Sequence, residues 1–268
     1  MAELDRPVSF RAGTGESVAA LVDVLDVQAA WPGVRRLRAW GREVLGPGPG
    51  ERAVDVGAGT GEETQAMAAA VGPSGTAIGV EPNPGLREVA AGRAAAAGSA
   101  ARFVDGLAYA LPFDDASVDV LRCERVFQHL DEPDRAAAEI ARVLRPGGRA
   151  LVADTDWATM IIHPGAPDTV ETIRRFWLGR FPNPLSGRRL GGQLTAAGLA
   201  VADAGSQAII QDATAAEDML TLLGTVDGLL TAEAREDLFA DLRAAARRGD
   251  FHFSVTMFAL LAHKPGET

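Results

Sequence analysis

Three glycines at alternate positions, in Asp55-Val56-Gly57-Ala58-Gly59-Thr60-Gly61, constrain this chain more than any other stretch. A short apolar-leaning segment, Arg52-Ala53-Val54, precedes them, and the alanine-rich Glu62–Val71 follows. The order strand, glycine turn, helix is the natural local reading. Lacking Cβ atoms, such a turn lets backbone approach a ligand closely. The helix behind it offers free N–H groups at its first turn. No Lys-Ser or Lys-Thr follows the glycines, so a phosphate loop is disfavoured. The spacing also differs from the G-x-G-x-x-G dinucleotide fingerprint. Asp55 would repel pyrophosphate but could hold an ammonium group, directly or through water. A glycine turn that serves only tight strand-to-helix packing is the structural alternative.

Beyond the turn, strand and helix patterns alternate. Residues 76–81 read as a strand ending in Glu81-Pro82-Asn83-Pro84, with a helix over 85–97. Residues 101–104 and 118–121 are the next strands, with 122–130 as a loop or short turn and a helix over 133–144. Pro146-Gly147-Gly148 then turns into a fifth strand, 149–153. This alternation predicts an α/β fold with a parallel, doubly wound sheet. Two N-terminal helices, over 18–28 and from Trp31-Pro32, precede the sheet and pack beside it or cover its ligand. The alternation breaks over 159–185, which reads as an inserted helical lid over the active face. A sixth strand near 199–210 and a last strand at 251–261 complete the sheet. We expect one domain over 1–268: an extension at 1–48, a cofactor-binding core at 50–155, and acceptor-side segments at 156–190 and 213–230.

A net charge of -10 argues against nucleic acid as partner, since backbone binding needs clustered Lys and Arg. A single cysteine, Cys123, excludes a disulfide framework within the chain and a cysteine-cluster metal site. Residues 1–7 carry acids and no apolar run, and no apolar stretch is long enough to span a bilayer, so the expectation is a cytoplasmic protein without a membrane partner. The apolar residues Met219, Leu222, Leu223, Leu229 and Leu230 suit a lid or a partner face, the latter allowing a homodimer.

The glycine turn, Glu81, Leu111-Pro112-Phe113-Asp114, the Asp119-Val120 strand and Leu144-Arg145-Pro146-Gly147-Gly148 together resemble the class I S-adenosylmethionine-dependent methyltransferases. The likeness is to the small-molecule branch that includes the menaquinone and ubiquinone methylases, and it covers residues 50–155. It implies a Rossmann-like sheet of about seven strands, mostly parallel with an antiparallel last strand, and S-adenosyl-L-methionine as cofactor. Asp55, Gly57, Ala58, Gly59, Thr60 and Gly61 would pass under its methionine portion. Glu81, followed by Pro82, would hold the ribose hydroxyls, as an acid one βα unit after the turn can. Gly106, Leu107 and Ala108 would lie beside adenine, and the backbone near Arg122 would meet the amino-acid end. Many relatives carry an aspartate where this chain has Leu107. Backbone near Leu107 and Ala108, or Asp105, would then hold adenine.

Methyl transfer from a sulfonium needs alignment in a desolvated pocket, and a base when the acceptor must lose a proton. His129, Asp154 and Asp156, at strand ends, are the candidate catalytic residues, each with a structural alternative. Phe127, Trp157, Trp177 and Phe181 are candidate walls of the acceptor pocket, and His163 and Arg180 are candidate contacts from the insertion. No Asn-Pro-Pro-aromatic tetrad follows the fourth strand, where amino-methylating nucleic-acid enzymes tend to carry one. With the acidic balance, this favours a small organic acceptor, in specialised or quinone metabolism. No metal-ligand cluster is evident. A nicotinamide-dependent oxidoreductase and a non-catalytic cofactor-binding scaffold are the competing readings.

Overall fold

The computed structural model describes residues 17–211 and 229–266. Seven strands form one sheet in the order β3-β2-β1-β4-β5-β7-β6. These are β1 (Arg52–Val56), β2 (Thr76–Val80), β3 (Arg102–Val104), β4 (Val118–Glu124), β5 (Leu144–His163), β6 (Ala200–Gln211) and β7 (His252–His263). The first five pair in parallel, and β7 runs antiparallel between β5 and β6. The sheet, its antiparallel last strand and the helices before it match the expectation from sequence.

Both faces of the sheet are covered, which explains the Val, Leu and Ala runs of its central strands. On one face, α2 (Pro32–Leu45) and α3 (Glu62–Val71) bury Val34, Leu37, Met67 and Val71 against Ala53, Val120 and Leu151. On the other, α5 (Pro133–Val143) and α7 (Ser186–Ala196) bury Ile140, Val143, Leu190 and Leu194 against Val54, Leu121 and Val152. Helix α1 (Val18–Ala30) precedes α2, and α4 (Pro84–Ala96) links β2 to β3. Asn83 caps α4, its Oδ1 accepting from the N–H groups of Gly85 and Leu86.

Strand β5 departs most from expectation. It starts at Leu144, with the Pro146-Gly147-Gly148 turn built in as a register shift against β4. It then continues to His163, well past the expected end. The extension is broken by a bulge: Asp156 opposes Thr256, yet Ile161 opposes Ser254, so β5 gains residues that β7 lacks. Thr159 closes the bulge, its Oγ1 accepting from Thr256 N–H and donating to the Asp156 carbonyl. Such a bulge re-aims side chains and hides the period-two pattern of a strand. The expected helical insertion is present as α6 (Pro167–Gly179), and the β5–β7 extension before it, with α8 (Ala232–Arg248), completes that region. Met160, Ile162, Ile173, Trp177, Leu242 and Phe253 form its own small core. Most of the expected 213–230 segment lies outside the described residues.

Candidate functional site

The glycine turn sits at the carboxyl end of β1, where open parallel sheets bind ligands. Gly57 has φ +74°, and a Cβ there would stand 2.3 Å from Cγ2 of Val126. Gly59 has φ +53° and carries the N–H that Glu81 Oε2 accepts at 2.9 Å. The other Glu81 oxygen accepts from Asn83 N–H at 2.9 Å. Burial raises the Glu81 carboxyl, while those two backbone donors pull it down. A buried carboxylate thus clasps the glycine turn from the end of β2, with lone pairs to spare for further donors.

Beneath the turn lies a buried ionic network. Asp55 accepts from Thr64 Oγ1 at 2.8 Å and from Arg122 Nη1 at 3.0 Å. Arg122 also donates to Glu124, and its Nε lies 3.5 Å from Glu63. Glu124 in turn holds Arg38 of α2 through Nε and Nη2, the latter at 2.9 Å. Burial opposes ionisation of Glu124, but the guanidinium groups of Arg122, Arg38 and Arg125 outweigh it and hold the carboxyl down to about 2. The side chains of Asp55 and Arg122 are therefore engaged with protein partners. Glu124, Glu63 and Arg38 belong to the site's foundation, and sequence reading passed over all three in that role. The expected loop beginning at Arg122 is strand as far as Glu124, followed by a 3₁₀ turn, Phe127–His129. Strand geometry places Arg122 and Glu124 on one face, a spacing visible in sequence.

At the β3 end, Gly106 fits tightly: a Cβ would meet Val80 Cγ1 at 2.7 Å. Leu107 is exposed and closes a short turn, its carbonyl accepting from Ala110 N–H at 3.0 Å. Asp105 is exposed and paired with Arg87 Nη1 at 2.7 Å, the same nitrogen that bonds the Glu81 carbonyl. Arg87 thereby ties the β2 and β3 ends together. Pro82 is half-buried in the bend after Glu81.

The turn after β4 meets the middle of β5 at Gln128, a residue absent from the expected set. Its N–H donates to Asp154 Oδ2 at 2.9 Å, and its side-chain oxygen accepts from Trp157 Nε1 at 2.7 Å. Its carbonyl accepts from Asn183 N–H at 3.1 Å. Trp157 stacks on Phe181 at 4.6 Å and on Trp177 at 5.7 Å. Phe181 and Trp177 lie 6.4 Å apart, with their rings inclined by 27°. His129 approaches Phe181 at 5.6 Å and is half-buried. Trp157, Trp177, Phe181 and His129 are thus gathered into one group.

Asp154 is fully buried within β5, and burial pushes its carboxyl up to about 7 against the backbone donors Thr155 and Gln128. A folded-state value above the ordinary 3.8 favours the protonated fold. That contribution is complete below the unfolded value and is lost as pH rises through about 7. Between about pH 4 and about pH 8, denaturant unfolding should show wild type losing on the order of 4 kcal/mol relative to Asp154→Asn. Parallel pH profiles for the two proteins would contradict this assignment.

Other expected residues stand apart. Asp156 is buried in β5, and its carboxylate accepts from Arg188 and from Ala158 N–H. Phe127 is fully buried in the core with Val54, Leu121 and Ile140, so it packs the fold and walls no pocket. His163 is exposed at the end of β5, 3.7 Å from Asp250. The Arg180 guanidinium lies 5.6 Å from the Phe176 ring centre at the end of α6.

A methyltransferase domain model matches residues 54–152. A 37.1 kDa protein of transposon TN4556 from Streptomyces fradiae is 32% identical over 90% of this chain and 70% of its own length. An uncharacterized methyltransferase of Mycobacterium sp. (strain JLS) is 37% identical over 58% of this chain, which spans 53% of that relative. Haemonchus contortus phosphoethanolamine N-methyltransferase 2, solved in complex with S-adenosyl-L-methionine, shares the fold. Its TM-score is 0.60 at 18% identity, covering 96% of this chain and 60% of that one. With the glycine turn and Glu81 at the carboxyl edge of such a sheet, residues 54–152 form a class I S-adenosylmethionine-dependent methyltransferase domain.

Proposed function

We propose that this methyltransferase methylates a small, ring-bearing or apolar organic acceptor, in specialised or quinone metabolism. The observation that carries the acceptor side is the group of Trp157, Trp177, Phe181 and His129 at the turn after β4 and the middle of β5. It adjoins the glycine turn through Val126, the residue against Gly57 and next to the Phe127–His129 turn.

The residues present fit the cofactor. Gly57, Gly59 and Gly61 hold positive φ, and the buried Glu81 carboxylate has acceptor capacity beyond its two backbone bonds. Glu81 would hold the ribose, residues 57–61 the methionine portion, and backbone at Leu107 and Ala108 the adenine. Asp105, held by Arg87, leaves that last role to backbone. When bound, S-adenosylmethionine supplies a methyl group already activated by the sulfonium. The protein then aligns the acceptor in line with that bond and excludes water. Trp157, fixed by Gln128 and by stacking, orients the acceptor. His129 takes the acceptor proton where one must leave. Residues 17–48 cover the donor side, and residues 156–190 shape the acceptor side.

The test is transfer of radiolabelled methyl to a panel of hydroxylated and amino aromatic compounds. With any accepted compound, His129→Ala should lower turnover by roughly 100-fold while leaving product-cofactor affinity unchanged. Unchanged turnover would remove His129 from the chemistry.

A further inference from the structure

Helix α1 lies across the glycine turn. Leu25 Cδ1 stands 3.3 Å from the place a Cβ on Gly59 would take. Val18 packs on Gly85 at the start of α4. Asp26 accepts two 2.7 Å hydrogen bonds from Arg93 of α4, and Gln28 accepts from Arg125 in the turn after β4. One helix therefore bridges the three elements that surround the cofactor-binding residues.

It is held lightly. Of its residues only Leu21 is buried, while Val24 and Val27 are 44% and 45% exposed. Asp26 and Arg93 are 45% and 40% exposed, and a solvated pair of this kind is a weak tie. The next helix is different. Val34, Leu37 and Leu45 anchor α2 in the core, and Arg38 is fixed on Glu124. Between the two helices Trp31 has extended backbone (φ -58°, ψ 132°), and Pro32 has no N–H to continue α1 into α2. A recess of about 340 Å³ opens at the foot of α1, with Asp26, Thr60, Glu62 and Arg93 among its walls.

We propose that α1 is a gate over the cofactor cleft. It swings about Trp31-Pro32 to admit and release cofactor while α2 stays in place. Its closed position is latched by Asp26–Arg93 and Gln28–Arg125. The proposal rests on the assignment of the glycine turn to S-adenosylmethionine. Local opening of an element with so little buried contact is the least costly route to that cleft.

A reversible covalent lock tests it. Val18 Cβ lies 3.3 Å from the Cβ that Gly85 would carry, a few tenths below ordinary disulfide spacing. The native Cys123 is buried and offers no competing thiol. The full chain carrying Val18→Cys and Gly85→Cys is oxidised, and S-adenosylhomocysteine association and dissociation are followed by stopped-flow tryptophan fluorescence. Both rates should fall at least about tenfold and recover on reduction. Equal rates in the oxidised and reduced protein would overturn the gate. As an independent arm, Asp26→Asn should speed exchange roughly twofold to fivefold. Unchanged exchange in that variant would count against the latch. Wild-type protein that binds no S-adenosylhomocysteine would instead overturn the cofactor assignment, and the gate with it.

Discussion

Replacing Glu81 with alanine should weaken product-cofactor binding by about 100-fold or more, measured by calorimetric titration. Hydrogen bonds to a charged acceptor contribute roughly 1.5–3 kcal/mol each, and the ribose role proposed for Glu81 involves two. At about 1.4 kcal/mol per decade, even the low end of that range gives two decades. A second effect works in the same direction. Glu81 accepts from the N–H groups of Gly59 and Asn83, so truncation frees the glycine turn from the end of β2. Glu81→Gln keeps the shape and one acceptor oxygen but loses the charge, and its affinity should fall between the two. Thermal unfolding of both variants separates lost affinity from lost fold. Wild-type affinity in a folded Glu81→Ala protein would remove Glu81 from the cofactor site.

The largest stability effect should come from Glu124. Truncating one member of a buried ion network leaves its partners charged and unpaired, at a cost of roughly 3–5 kcal/mol. Glu124→Ala would take from the buried Arg122 one of its carboxylates, leaving Asp55 and Glu63, and would loosen Arg38, the tie between α2 and the sheet. For a domain of this size that corresponds to a fall of about 10 °C in melting temperature. The pH dependence has a defined sign. Glu124 titrates near about 2 in the fold against an ordinary 4.5, so its contribution is present above 4.5 and is lost as pH falls towards 2. Scanning calorimetry of Glu124→Ala and wild type should therefore show the gap narrowing in acid. A gap that is small, or that does not depend on pH, would contradict the account of this network.

The donor half of the site was legible in sequence because its determinants are local. The glycine spacing, Glu81 at a strand end and the Pro146-Gly147-Gly148 turn each sit within one βα unit or one turn. Strand alternation then supplied the parallel sheet, and the family resemblance its antiparallel last strand. The acceptor half was less legible because it depends on contacts between distant segments. Gln128 acquires its role only when β5 brings Asp154 and Trp157 beside it. Trp157 reaches its stack because a bulge interrupts β5, and that bulge made Met160 and Ile162 read as part of an insertion. Phe127 looked like a pocket wall by its place after β4, but the 3₁₀ turn directs it into the core. The Arg38–Glu124 pair spans 86 positions, beyond the reach of any local pattern.

The central claim is that the glycine turn and Glu81 hold S-adenosylmethionine. Isothermal titration of the wild-type chain with S-adenosylhomocysteine tests it most directly. Saturable one-site binding in the micromolar range, weakened about 100-fold or more by Glu81→Ala, is the result this account predicts. No heat of binding from a folded wild-type protein at millimolar ligand would contradict it.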